Sequence, residues 1–125
     1  MIFFPISLLS FYSTKEKGAD GEEVVCRNLL KEGYIILDRN VREKFAEIDI
    51  IAKDGDTLCF IEVRTREDTL LGHPSETVNS RKQQQVRRAA EAYLVRNRIS
   101  NTEIRFDVAT IVWSDMEYMY FKNAF

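Results

Sequence analysis

The chain has 125 residues, of which 45% are apolar and 30% charged, and a formal net charge of −2. That composition fits one globular domain with a core of its own, and it excludes a globally basic nucleic-acid binder, a low-complexity chain and a disulfide scaffold. Cys26 and Cys59 stand in otherwise apolar patterns and read as reduced, buried small hydrophobes, and with a lone histidine they make no structural zinc site.

Residues 1–13, from Met1 to Ser13, are mostly apolar. The run is shorter than the roughly 20 residues of a spanning helix. It also lacks the basic start and small-residue cleavage site of a secretory signal. It is expected to be an apolar arm packing on this domain or on a second copy as a homodimer contact, with contact to a membrane surface as the alternative. A single domain over 14–125, without a membrane span and cytoplasmic, should follow.

Residues 17–32 read as a helix with Gly18, Gly21, Glu22, Val25 and Leu29 on one face, stopped by Gly33. Three strand-like runs come next, at 34–40, 48–52 and 57–65. Lys53-Asp54-Gly55-Asp56 supplies a hairpin between the last two. Residues 66–75 read as a polar loop. A long helix over about 76–97 carries an apolar stripe of Val78, Val86, Ala89, Ala90, Tyr93 and Leu94. A strand over 103–113 alternates Ile104, Phe106 and Val108 with Arg105 and Asp107, and Ser114-Asp115 turns into an edge strand at 117–121. The order α-β-β-β-α-β-β makes an α/β fold, a mixed sheet flanked by helices, with the long helix as a crossover.

Two carboxylates stand out. Glu47, Asp49 and Ile51 should point to one side of their strand, and Phe60, Glu62 and Arg64 to one side of the next. With a Gly55-Asp56 loop Asp49 lies directly opposite Glu62; with Asp54-Gly55 they are diagonal neighbours. Adjacent carboxylates repel unless neutralised, either by Arg64, Arg66 or Arg105 or by a divalent cation with oxygen ligands. Such a cation can activate water at a phosphodiester.

The run Asp49, hairpin, Glu62-Val63-Arg64 resembles the Asp…Glu-x-Lys core of PD-(D/E)xK nucleases. The ordered set Gly18-x-x-Gly21-Glu22, Gly33-Tyr34, Arg39-Asn40, Glu47-Ile48-Asp49-Ile50-Ile51, Phe60-Ile61-Glu62-Val63, Thr65-Arg66, Gly72-x-Pro74, Val78, Lys82 and Arg105-Phe106-Asp107-Val108 resembles the YraN-like family of small predicted endonucleases. That family is related in fold to Holliday junction resolvases, and the match covers about residues 18–112. The resemblance implies a restriction-endonuclease-like fold and a metal-dependent DNA endonuclease or resolvase. Asp49, Glu62 and the Val63 carbonyl would hold Mg²⁺ or Mn²⁺, and Glu22 would reach the site directly or through water. Two positions depart from the pattern. Ala46 replaces a glycine, and Arg64 stands where the family carries lysine. Arginine cannot release a proton and presents a wide fork, so Arg64 is expected to limit catalysis. Lys82, on the apolar stripe of the long helix, either projects toward the site or snorkels past its neighbours. Asp107 is expected to pair with Arg105 or another base on the polar face, with a role in the site as the alternative.

Residues 76–99 carry six cations against Glu76 and Glu91, a local +4. Arg81, Lys82, Arg87 and Arg88 are therefore candidates for following a DNA backbone, although a charge run is also simply a solvated face. Three functions compete. They are a metal-dependent nuclease, a nucleic-acid-binding module weakened by Arg64, and an interaction subunit joined through the apolar arm.

Overall fold

A computed structural model describes residues 2–4, 17–75 and 79–125 of the chain. A short strand, β1 (Ile2–Phe4), precedes helix α1 (Lys17–Lys31) and strands β2 (Ile35–Arg42), β3 (Glu47–Asp54) and β4 (Thr57–Arg66). Helix α2 (Ser80–Arg96), β5 (Ile104–Val112) and β6 (Glu117–Phe121) complete the order. After β1 this is the α-β-β-β-α-β-β succession read from the sequence. The strands form one six-stranded sheet in the order β1-β6-β5-β4-β3-β2. Only β4 and β5 run parallel, because α2 carries the chain across between them. Of the N-terminal arm, Ile2–Phe4 pairs antiparallel with β6 of the same chain. Residues 5–16, and with them the expected dimer contact, lie outside the described residues, as does Val78.

Each helix covers one face of the sheet. Val24, Val25 and Leu29 of α1 pack on Ile50, Ala52, Cys59, Ile61, Ala109 and Ile111. Val86, Ala89, Ala90 and Tyr93 of α2 pack on Ile51, Leu58, Phe60 and Phe106. The two sets alternate along the central strands, as a strand buried on both sides requires. Ile48 is the exception. It packs beside Val41 on the α2 side together with Ile51, so alternation lapses at the start of β3.

Local chemistry sets the ends. Gly33 takes φ 89° past the end of α1, the left-handed conformation that stops a helix. Asn79 caps α2 by accepting the Lys82 N–H at 2.9 Å. The β3–β4 hairpin registers Asp54 against Thr57, so the loop is Gly55-Asp56, with Gly55 at φ 62°. Cys26 and Cys59 are free and buried. Among the described residues no helix is long and apolar enough to cross a membrane.

One polar network runs from the core to the surface. Asp107 is fully buried on β5. It accepts hydrogen bonds from Arg105 Nε (2.9 Å), Tyr120 Oη (2.6 Å) and the Asn123 N–H (2.9 Å). Arg105 reaches on to Asp54 (3.0 Å) and the Tyr34 hydroxyl (2.9 Å). Burial, then the nearby Asp107 charge, pushes the Tyr120 hydroxyl pKa up and keeps it a donor. The expected Arg105–Asp107 pair is thus the centre of a satisfied cluster. Asp107→Ala would leave the guanidinium without its main counter-charge and should cost about 3–5 kcal/mol in denaturant unfolding. Asp54→Ala, at the wetter end, should cost about 1 kcal/mol or less. Equal losses for the two variants would contradict this account of the network.

Candidate metal centre where two strands part

The β3–β4 ladder ends at Ile50 opposite Ile61. On its other side β4 stays paired with β5 as far as Arg66 opposite Val112. From residue 62 onward, β4 therefore runs beside a strand that has left it. Asp49 and Glu62 occupy the first step of this fork, directly opposite each other by extension of the register. With the ladder open, Asp49 Oδ2 takes the Val63 N–H at 2.8 Å. An antiparallel residue presents its N–H and C=O on the same edge, so the Val63 carbonyl faces the fork too. Alternation along β3 alone would have put Asp49 on the face of Ile51; the lapse at Ile48 instead turns its carboxylate to the edge of β4.

Both helices reach the fork. Gly21 of α1 lies so close to β4 that a Cβ there would sit 2.6 Å from Thr65 Cγ2. This close approach brings the next residue, Glu22, toward Asp49. Arg39 of β2 steadies that end of α1, with Nη1 3.0 Å from Glu23 and Nη2 3.9 Å from Glu22. From the other face, Lys82 Nζ of α2 lies 3.8 Å from Glu62 Oε1. Of the two fates open to Lys82, the structure shows the projection toward Glu62.

Electrostatics single out Asp49. Burial raises its carboxyl pKa most, the Val63 N–H opposes this, and the charges of Glu22, Glu62 and Glu47 raise it further, to about 6. Glu62 Oε2 is buried and has no hydrogen-bond partner. A lysine at 3.8 Å from the other oxygen is too far for a hydrogen bond and neutralises it only in part.

The donor set fits a hard divalent cation. Two carboxylates and one main-chain carbonyl are all oxygen, and Mg²⁺ uses one or two carboxylates while keeping several waters. Among the described residues no group of three or more His, Cys, Asp or Glu side chains is arranged to hold a metal ion, so water would complete the shell. Arg105 is committed to Asp107 and Asp54, which removes it as a neutraliser of this site. Arg64 follows Glu62 on β4, opposite Thr110 of β5. Ala46 is not among the positive-φ residues, so alanine causes no strain where the family pattern has glycine.

The candidate phosphate-binding residues do not all converge here. Arg81 and Lys82 lie in the first turn of α2. Arg88 is six residues beyond Lys82, about 9 Å along the helix. Arg88 lies 3.9 Å over the Phe45 ring on one flank, and Arg87 4.7 Å over Phe106 on the other. Stacked guanidinium groups keep their in-plane N–H donors available. The sequence reading had missed Arg39 as a partner of Glu22; its only signal was the Arg39-Asn40 dipeptide within the family pattern.

A mixed sheet flanked by two helices, with Asp and Glu meeting where two central strands part, places the protein in the restriction-endonuclease-like α/β class. The chain belongs to the YraN-like family: the model described as "Uncharacterised protein family UPF0102" matches residues 21–111. Among its relatives, a UPF0102 protein of Clostridioides difficile strain 630 is 40% identical over 113 residues, covering 90% of this chain and 99% of that protein. One from Clostridium botulinum strain 657 is 41% identical over 119 residues, covering 91% and 97%. Another from Caldicellulosiruptor saccharolyticus is 43% identical over 109 residues, covering 87% of each.

Without metal, the crowded Asp49 carboxylate should weaken the fold. Its pKa is raised on folding, so its stabilising contribution is complete below about pH 4 and is lost as pH rises through about 6. Asp49→Asn retains an oxygen for the Val63 N–H and removes the charge. In chelator at pH 7.5 it should unfold about 1–3 kcal/mol later than wild type, with the gap closing toward pH 4. A variant no more stable at pH 7.5 would mean that the carboxylates do not strain the site.

Proposed function

We propose that this protein is a Mg²⁺- or Mn²⁺-dependent hydrolase of DNA phosphodiester bonds, of the endonuclease or resolvase type. One observation carries the reading. Glu62 Oε2 is buried and unpartnered at the fork it shares with Asp49. A buried carboxylate oxygen with no donor is costly unless a cation completes it. Asp49, Glu62 and the Val63 carbonyl would hold the ion. When bound, it supplies a polarised phosphodiester oxygen and an activated water.

The chain's own groups divide the remaining work. The Val63 N–H fixes the orientation of the Asp49 carboxylate. Glu22 adds negative charge from α1 and would hold a water of the ion's shell. Lys82 brings a compact ammonium to Glu62, where it can steady the phosphate charge that develops in displacement. Arg64 offers a fork suited to clamping a phosphate oxygen. Arg81, Arg87 and Arg88 supply contacts to the DNA backbone along α2.

A second reading rests on Arg64 in the place of the motif lysine. It makes the protein a nucleic-acid-binding module with little or no turnover. Lys82 favours the first reading, because it returns an ammonium to the site from the helix.

The test is Mn²⁺ titration by calorimetry, followed by cleavage of branched and single-stranded DNA. Wild type should bind Mn²⁺, and Asp49→Ala should abolish binding. Equal affinity in the two proteins would sink the metal site. Lys82→Ala should slow cleavage about 100-fold or more, whereas Arg64→Lys should change it only a few-fold. Faster cleavage by Arg64→Lys with no effect of Lys82→Ala would return the role to the strand and support the second reading.

A further inference from the structure

The segment leading from β4 to α2 ends in an unusual tip. Leu70 is 87% exposed and Leu71 is 85% exposed, the highest values among the large hydrophobics of the described residues. They occupy the two central positions of a tight turn in which the Gly72 N–H donates to Thr69 O at 3.0 Å. Turn centres favour Gly, Pro, Asn, Asp and Ser, so two leucines gain nothing for the fold there. Single exposed leucines are ordinary, but an adjacent pair at a protruding tip is not.

The tip is also held firmly. The Leu70 N–H donates to Asp68 Oδ1 at 3.0 Å, and Gly72 takes φ 104°, where a side chain would be strained. At the base, the Trp113 and Ser114 N–H groups donate to Arg66 O (3.0 Å) and Glu67 O (2.8 Å). On the return, His73 Nδ1 accepts the Ser75 N–H at 3.0 Å. That leaves the proton on Nε2, which donates to Glu117 of β6. Pro74 is buried beneath. The leucines are therefore presented on a preordered turn tied to the sheet from both sides.

We infer that Leu70 and Leu71 form a wedge that enters between DNA bases where stacking is already interrupted, and so determine which DNA the neighbouring site receives. This rests on the DNA-directed reading above and adds its specificity residues. Position and size carry it. β4, which bears Glu62 and Arg64, leads through residues 67–69 to the tip, and the four steps from Glu62 to Arg66, the end of the strand, span about 13 Å, roughly four base steps. The chain then returns into α2, whose first turn presents Arg81 and Lys82. A pair of aliphatic side chains matches the apolar wedges that proteins insert at base steps. It is far too small for a stable dimer, which needs about 800 Å² per partner. Entry into continuous duplex must unstack and kink a base step, whereas at a nick one backbone is already broken and the step opens more readily.

The experiment compares wild type with Leu70→Ser/Leu71→Ser on continuous and nicked duplexes carrying 2-aminopurine beside the nick, in chelator so that nothing is cut. Both side chains are exposed, so the variant should fold and bind Mn²⁺ like wild type. Wild type should prefer the nicked duplex about tenfold and raise the 2-aminopurine fluorescence, and the variant should lose both effects while keeping its affinity for continuous duplex. Equal preference and fluorescence in the two proteins would overturn the wedge, as would a wild type that binds no DNA. So would partition onto phosphatidylcholine vesicles that the variant loses, which would assign the tip to a lipid surface. Unstacking at the nick by a wild type that neither binds Mn²⁺ nor cuts would sustain the wedge while removing the nuclease reading.

Discussion

The contact between Asp49 Oδ2 and the Val63 N–H organises the end of the sheet where β3 and β4 part. A central strand normally gives its N–H groups to the neighbouring strand. Here β3 has already left β4, and a side chain from β3 takes over the duty of the missing ladder. The exchange satisfies a backbone donor that would otherwise be stranded. It also holds a carboxylate at the strand edge, beside Glu62 and the Val63 carbonyl. That one substitution of side chain for backbone fixes Asp49 at the fork, among the other acidic groups near it.

The two acidic centres of the sheet differ in how fully they are satisfied. Asp107 is more deeply buried than Asp49, yet it receives donors from a guanidinium, a phenol and a main-chain N–H. Asp49 receives one main-chain donor and faces three other carboxylates. A network with every member paired rigidifies a core, whereas one left incomplete holds unrelieved charge. The sheet thus keeps its unrelieved charge at the end where two strands part and both helices approach, and closes it elsewhere. Gly21 belongs to the same arrangement, since only a residue without a Cβ lets α1 approach Thr65 this closely and bring Glu22 with it.

Element order was legible in the sequence because period-two and helical patterns are local. So were the Gly55-Asp56 hairpin, the Gly33 stop and the Arg105–Asp107 pair. The hairpin loop in turn put Asp49 opposite Glu62. The fork was not legible, because the end of a ladder is set by how two strands diverge over the packed helices, and no residue type marks it. Ile48 shows the cost of reading periodicity alone: its neighbour Asp49 turns to the edge of β4 rather than keeping strictly to one face. The Leu70-Leu71 dipeptide carries no signal of its own within a polar loop, since only exposure distinguishes a projecting leucine from one that packs back. The β1 strand is three residues long, too short to carry a periodic signal, and its place beside β6 comes from pairing over more than a hundred residues of chain.

Lys82 brings an ammonium to Glu62 from the helix, whereas β4 itself carries Arg64 two residues beyond Glu62. The Asn79 side chain accepts the Lys82 N–H and so fixes where α2 begins. Lys82 then falls one turn before Val86, on the side of the helix that packs against the sheet. A four-carbon stem crosses that apolar margin and delivers the ammonium to Glu62. An arginine on β4, by contrast, is tied to the strand's pleat and carries its charge on a rigid fork. A helix can supply a compact cation at a variable reach, whereas a strand supplies it at a fixed one. On the proposed reading, the helix cap therefore bears on catalysis: shifting the start of α2 by one residue would rotate Lys82 about 100° away from Glu62 and take its partial counter-charge from Oε1, beside the already unpartnered Oε2.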